Sequence, residues 1–297
     1  MNPKLLLGFF YGLVATVIWG GHAVIARVAV TGQGFVPLDL MAFRYAPAAL
    51  LLAPLAWGAR RAIAALGLRR ILLLAATGGA PNLLLFVGAL VYAPASHGGT
   101  IAPMTGPIFG ALFAIPLLRE IPTPGRVAAL GAMAAGVLLI GWDGMSGEHP
   151  GAWRGDLMLV GAGATWATFT VLLRRWQVAA IPATAVVTIV SGLLVLPAWL
   201  VVRLDDLPSL PLGPVVWQLF AQGVMLGVVS LFLYARAVEM LGATRGASLS
   251  VMVPVVGLIL AATLLGEALG ALQLAGAALA VCGMLAAVMF TGRKTAA

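Results

Sequence analysis

The stretch "ATVIWGGHAVIARV", Ala15 to Val28, places a tryptophan, two glycines, a histidine and an arginine in an otherwise apolar run. A second stretch, "AGATWATFTVLLRR", Ala162 to Arg175, repeats its outline, with Trp166 and Arg174 lying 147 residues after Trp19 and Arg27. The same ungapped spacing relates Gly8 to Gly155, Pro107 to Pro254, Glu120 to Glu267 and Gly136 to Gly283. One offset shared by Trp, Arg, Pro and Glu reads as an internal duplication. It divides the chain into repeats at 1–147 and 148–297.

The medium in which the repeats fold follows from composition. Of the 297 residues 62% are hydrophobic and 9% charged, with a mean hydropathy of +1.08. A water-facing surface needs roughly 25% charged residues, so this is an all-α, multi-pass membrane protein forming one integral domain. The net charge of +8 comes from arginines scattered between apolar runs, which suits topology better than nucleic-acid binding. The first apolar run, Leu5 to Ala26, exceeds the 7–15 residues of a signal-peptide core and reads as a span. Cys282 is the only cysteine, so no intrachain disulfide is expected.

A spanning helix takes about 20 residues, and ten runs qualify: 5–29, 37–57, 71–91, 95–118, 125–142, 155–173, 182–202, 215–235, 246–265 and 271–290. With both termini inside, 13 Lys and Arg residues fall on the cytoplasmic side and only Arg154 and Arg203 outside, a strong positive-inside bias. Trp57, Trp142, Trp153, Trp176 and Trp217 sit near span ends, whereas Trp19 and Trp166 are mid-span. Five spans per repeat is an odd number, so the halves insert with opposite orientation. Inverted repeats of this type put solute sites near the bilayer midplane, at the interface of the halves. Pro107 and Pro254 are expected to break the fourth and ninth spans at related depths.

Ten spans in two halves, a mid-helix Trp opening each half, and the motifs "P…LRE" (107–120) and "P…LGE" (254–267) resemble the EamA group of the drug/metabolite transporter superfamily over essentially the whole chain. Within that group the chain is most similar to exporters of aromatic amino acids. The resemblance implies a basket of helices around a central cavity, lined mainly by the first, third and fourth spans of each half.

Several residues can serve such a cavity. Trp19 and His22, three apart, share a helix face, and Gly20 and Gly21 beside them permit close helix approach or unwinding. The alternative is simple packing, with His22 bonded to a neighbour. "GGAPNLLLF" (78–86) carries Gly78, Gly79, Pro81 and Asn82 midway along the third span, so a kink there would free carbonyls for an ammonium group. Asn82 supplies both donors and an acceptor. Its counterpart is Val229, followed by Ser230, so the halves differ where an asymmetric solute needs them to. Ser96, His97 and Thr100 form a polar island in the fourth span, with His97 near its outer end. Tyr45, Trp166 and Tyr234 complete the candidate solute-binding set, and Gln222 is a weaker candidate. Arg44 needs an acceptor, which is a solute carboxylate, Asp39 or the carbonyls of a broken helix, with a structural role the nearer reading. Gly20, Gly21, Gly78, Gly79, Pro81, Pro107 and Pro254 are the expected helix breaks or gating points.

Absences narrow the function. No acidic residue sits in mid-span, which disfavours a cation pump working by carboxylate proton exchange. Walker A, HExxH and Cys/His metal spacings are missing, so neither ATP drive, metal nor cofactor is expected. An intramembrane enzyme would need clustered acids or histidines, and only His22 and His97 are candidates, with His149 in a loop. The leading expectation is a multi-pass inner-membrane exporter of neutral or aromatic amino acids and related metabolites, working by alternating access. Export of a purine or neutral drug is the alternative.

Overall fold

The computed structural model describes residues 3–146 and 151–291. His149 lies outside them. All regular structure among the described residues is helical. Ten helices are long and apolar enough to cross a membrane: α1 Lys4–Gly32, α2 Pro37–Gly58, α3 Leu68–Ala89, α4 Ala95–Leu118, α5 Pro124–Trp142, α6 Ala152–Arg175, α7 Ile181–Arg203, α8 Leu212–Leu241, α9 Ser248–Leu265 and α10 Ala271–Phe290. They match the ten expected spans, the largest shift being at the ends of α8.

The main helix pairings are preserved when each helix is exchanged for the one five places on. α1 packs on α8 and α9, as α6 packs on α3 and α4, while α2 meets α7, α4 meets α9 and α5 meets α10. The counterparts run antiparallel. In the α5–α10 pair, a Cβ on Gly125 would meet the Phe290 ring and one on Gly136 the Gly276 carbonyl, so rising numbers on α5 face falling numbers on α10. The two repeats are therefore inverted, as the odd helix count requires.

Close approach by small residues drives association in a bilayer, where there is no hydrophobic gain between helices. The α4–α9 crossing shows it most plainly: a Cβ built on Gly99 would lie 3.1 Å from Gly257 Cα, and one on Gly257 3.0 Å from Gly99 Cα. Both obstacles are backbone and cannot swing aside. Gly99→Val should force the helices apart, with overpacking costing about 1–3 kcal/mol, read as a lower thermal midpoint in detergent.

Of the expected proline breaks, those at Pro81 and Pro254 coincide with helix interruptions and that at Pro107 does not. Pro107 lies inside an unbroken helix, Ala95–Leu118, and α4 does not break there. Its counterpart Pro254 opens the helix Val253–Leu265 just after a turn at Val251–Met252. Proline's neighbours decide the outcome, because a mid-membrane proline is tolerated where packing or side chains satisfy the freed carbonyl. α1 also runs straight through Gly20 and Gly21 without unwinding. Gly20 serves close approach instead, since a Cβ there would be 2.7 Å from the Val256 side chain.

The α3 break falls where Gly78, Gly79 and Pro81 place it: the span divides at Gly79 into Leu68–Gly78 and Ala80–Ala89. Pro81 has no N–H for the carbonyl of Thr77, and the N–H of Ala80 donates to Ser191 Oγ at 3.0 Å. The inverted counterpart is distorted by another route: α8 is π-helical over Leu219–Val229. There the backbone is held tightly, because a Cβ on Gly223 would strike Pro47 of α2. Broken helices and π-bulges both tend to mark functional positions.

Candidate functional site

Around the α3 break the helices enclose a cavity of about 130 Å³. Its wall combines His22 of α1, Arg44 and Tyr45 of α2, the Gly78–Gly79 break with Asn82 and Phe86 of α3, and Trp166 of α6. Both repeats contribute, the second through Trp166. The imidazole of His22 stacks on Phe86, with centroids 4.5 Å apart and planes 12° apart. Trp166 leans on Phe169 at 5.2 Å and is 49% exposed, so it stands at the edge of the cavity. Sites that enclose whole ligands run to roughly 300–1,000 Å³, so the cavity is smaller than a site that encloses a whole ligand.

The wall is polar in an unbalanced way. Arg44 Nη1 is buried without a hydrogen-bond partner, whereas the side chains of His22 and of Gln222, the latter 0% exposed in the π-helical stretch, lie close enough to interact with each other but form no well-aligned bond. Buried polar atoms without partners are uncommon in a folded protein and call for explanation. Asn82 is not among them. Its amide nitrogen donates to the Ala162 carbonyl at 2.8 Å and to Thr165 Oγ1 at 2.9 Å, which ties α3 to α6 and spends the donors that sequence reasoning had offered to a solute.

The structure thus brings His22, Tyr45, Asn82, Trp166, Gly78 and Gly79 together, and places the other candidates in two separate groups. Trp19 points to α8: its indole Nε1 donates to Ser230 Oγ at 3.0 Å, and its ring meets Tyr234 at 4.9 Å. Trp19, Ser230 and Tyr234 form a polar–aromatic patch on the α1–α8 interface, and none of the three lines the cavity. Ser96 and His97 belong to the third group, at one end of the bundle. His97 Nδ1 is 2.7 Å from Asp156 Oδ1, both residues being buried.

That end of the bundle joins the two repeats repeatedly. The Glu267 carboxylate of α9 accepts from the backbone N–H groups of Ala95 and Ser96, at 2.7 and 2.9 Å, capping α4. Asp39 of α2, 0% exposed, accepts from Trp199 Nε1 at 2.7 Å and Arg203 Nε at 3.0 Å, both on α7. Gln218 Nε2 of α8 donates to Gln33 at 3.1 Å. At the opposite end the counterpart pair, Glu120 and Arg174, is an exposed salt bridge. Each glutamate follows a left-handed residue, Arg119 at φ 57° and Gly266 at φ 66°, so one turn geometry presents both. Only Glu267 has reached the helix terminus across the repeat.

Sequence reasoning left Arg44 and Phe86 out of its site. Phe86 is four residues beyond Asn82 and shares its helix face. Asp39 and Arg44 are five apart, which puts them on different faces of α2, so the pairing with Asp39 was open to doubt from spacing alone. A larger apolar groove, about 420 Å³, runs between α9 and α10. Thr263, one of its residues, spends its hydroxyl on the Ile259 carbonyl, which leaves little there to orient a polar solute.

A bundle of ten membrane helices in two inverted repeats, with a two-repeat cavity at a helix break, defines a membrane carrier. The chain belongs to the EamA-like transporter family, whose family model matches twice, at residues 6–142 and 153–289. The two matches are offset by the same 147 residues that relate Trp19 to Trp166. Within the drug/metabolite transporter superfamily, this family consists of transporters of small solutes. A solved crystal structure, described only as that of a protein, is similar over 96% of this chain and 98% of its own, with a TM-score of 0.60 and 22% identity. It supports the fold. The search of curated proteins gave no match.

Proposed function

We propose that the protein exports neutral, preferably aromatic, amino acids and related small metabolites across the inner membrane, with both termini in the cytoplasm. The observation that carries this reading is the composite wall of the cavity. It sets flat side chains (Phe86, His22, Trp166) beside polar groups at a broken helix, and draws them from both repeats. Flat rings offer stacking to an aromatic side chain. The resemblance to aromatic amino-acid exporters points the same way. By the positive-inside rule, the Glu267 end faces outward and is the sealed end, so solute enters from the cytoplasm. Rocking of the halves 1–147 and 148–297 widens the cavity and exposes it alternately to each side.

Counterflow tests this directly. Purified protein in liposomes loaded with unlabelled phenylalanine should accumulate labelled phenylalanine above protein-free vesicles, and Trp166→Ala should reduce the rate severalfold. No accumulation by folded protein would remove phenylalanine and redirect the assay to purines and other neutral solutes.

A further inference from the structure

The cavity holds a cation that no carboxylate of the described residues neutralises. Arg44 lines it with Nη1 buried and unbonded, and among the described residues no carboxylate pairs with the guanidinium. Asp39 is taken by Trp199 and Arg203, Asp156 by His97, and Glu267 by the N-terminus of α4. Glu120 and Glu239 are in salt bridges with Arg174 and Arg236. The counterpart of Arg44 in the second repeat is Ser191, which caps the α3 break, so the arginine is not needed for that duty. An arginine within a span costs about 2.5–3.5 kcal/mol on insertion scales. Intramembrane charges of this kind mark solute or ion pathways. The helix Ala80–Ala89 also starts at the cavity wall, with Gly79 and Asn82, and turns the positive end of its dipole toward it.

Resting on the reading of this cavity as the solute site, we propose that Arg44 anchors the carboxylate of the transported solute. The planar guanidinium presents two parallel N–H groups that match the two oxygens of a carboxylate. An anchored carboxylate places the organic part of the solute between the His22–Phe86 stack and Trp166. Nothing acidic on the wall offers an amine an equivalent partner. The site therefore takes carboxylates, zwitterionic or simply anionic, and rejects an amine that lacks one.

Three solutes that share one ring and side-chain length separate these cases: phenylalanine, 3-phenylpropionate and phenethylamine. Their binding is titrated calorimetrically to the purified full chain, as wild type, Arg44→Gln and Arg44→Lys, with monodisperse elution as the folding control. The carboxylates should bind wild type about tenfold or more tightly than phenethylamine. Arg44→Gln should lose about tenfold or more for the carboxylates, as expected for a charge-assisted pair, and Arg44→Lys should recover part of it. If Arg44→Gln does not fold, the wild-type preference and the Arg44→Lys loss decide the matter.

Phenylpropionate bound through Arg44, with phenylalanine unbound, supports the anchor and removes the amino-acid reading. Phenylalanine bound equally well by wild type and Arg44→Gln keeps the amino-acid reading and overturns the anchor. Phenethylamine bound as tightly as the carboxylates overturns the anchor too. Failure of all three to bind folded wild type overturns both.

Discussion

Asp39→Ala should lower the stability of the protein by about 3 kcal/mol, the low end of the 3–5 kcal/mol range for breaking a buried ion pair. Asp39 is fully buried and does three things with one carboxylate. It accepts from the Val36 N–H at 2.8 Å, which fixes the first turn of α2, and it holds Trp199 and Arg203 of the opposite repeat. Removing it leaves Arg203 largely buried, with 15% of its side chain exposed. Asp206 remains bonded to Arg203 Nη1 at 2.8 Å, and that second partner limits the damage. The measurement is the thermal midpoint in detergent for Asp39→Ala, Arg203→Leu and the double variant. Arg203→Leu in the Asp39→Ala background should restore part of the loss, because the stranded charge is then gone. A double variant no better than the sum of the singles would show that the two residues do not act as a pair.

Glu267→Ala should shift the conformational balance more than the stability. Two charge-assisted bonds hold the N-terminus of α4 to α9, and hydrogen bonds to charged groups contribute about 1.5–3 kcal/mol. That energy belongs to the conformation in which this end is sealed. With 1.4 kcal/mol per tenfold change, losing the worth of even one of the two bonds should raise the population open at this end about 10- to 100-fold. Ser96 is buried behind the seal and provides the reporter. With Cys282→Ser removing the native thiol, Ser96→Cys should react with a membrane-impermeant thiol reagent about 10- to 100-fold faster when Glu267→Ala is added. Unchanged labelling would mean that the seal rests on the His97–Asp156 and Asp39–Arg203 joins without Glu267.

The fold could be read in the sequence because a duplication writes the same constraint twice. Trp19 and Trp166, or Glu120 and Glu267, each support the other, and apolar length fixes the number of spans. Proline was a less uniform guide: Pro107 is absorbed in a continuous helix, whereas the cavity sits at the glycine pair beside Pro81, where Ser191 of the other repeat caps the freed N–H. The site was half legible for a related reason. Residues on α3 share one face and could be grouped by spacing, so Asn82 and the glycine pair were found. The direction of a side chain across the bundle has no local signature. Trp19 and His22 are 60° apart on α1 by helical geometry, enough for one to face Tyr234 and the other Phe86. His97 and Asp156 are 59 residues apart, and nothing in either neighbourhood announces the other.

The contacts α2–α7, α4–α9 and α5–α10 join a helix to its own inverted counterpart. The two members of each pair are no longer copies, however: Asp39 and Arg203 of the α2–α7 join correspond to Val186 and Ala56 in the opposite repeat. Two first repeats set against each other would face Asp39 with Ala56 and lack this ion pair, so the join favours unlike halves over like ones.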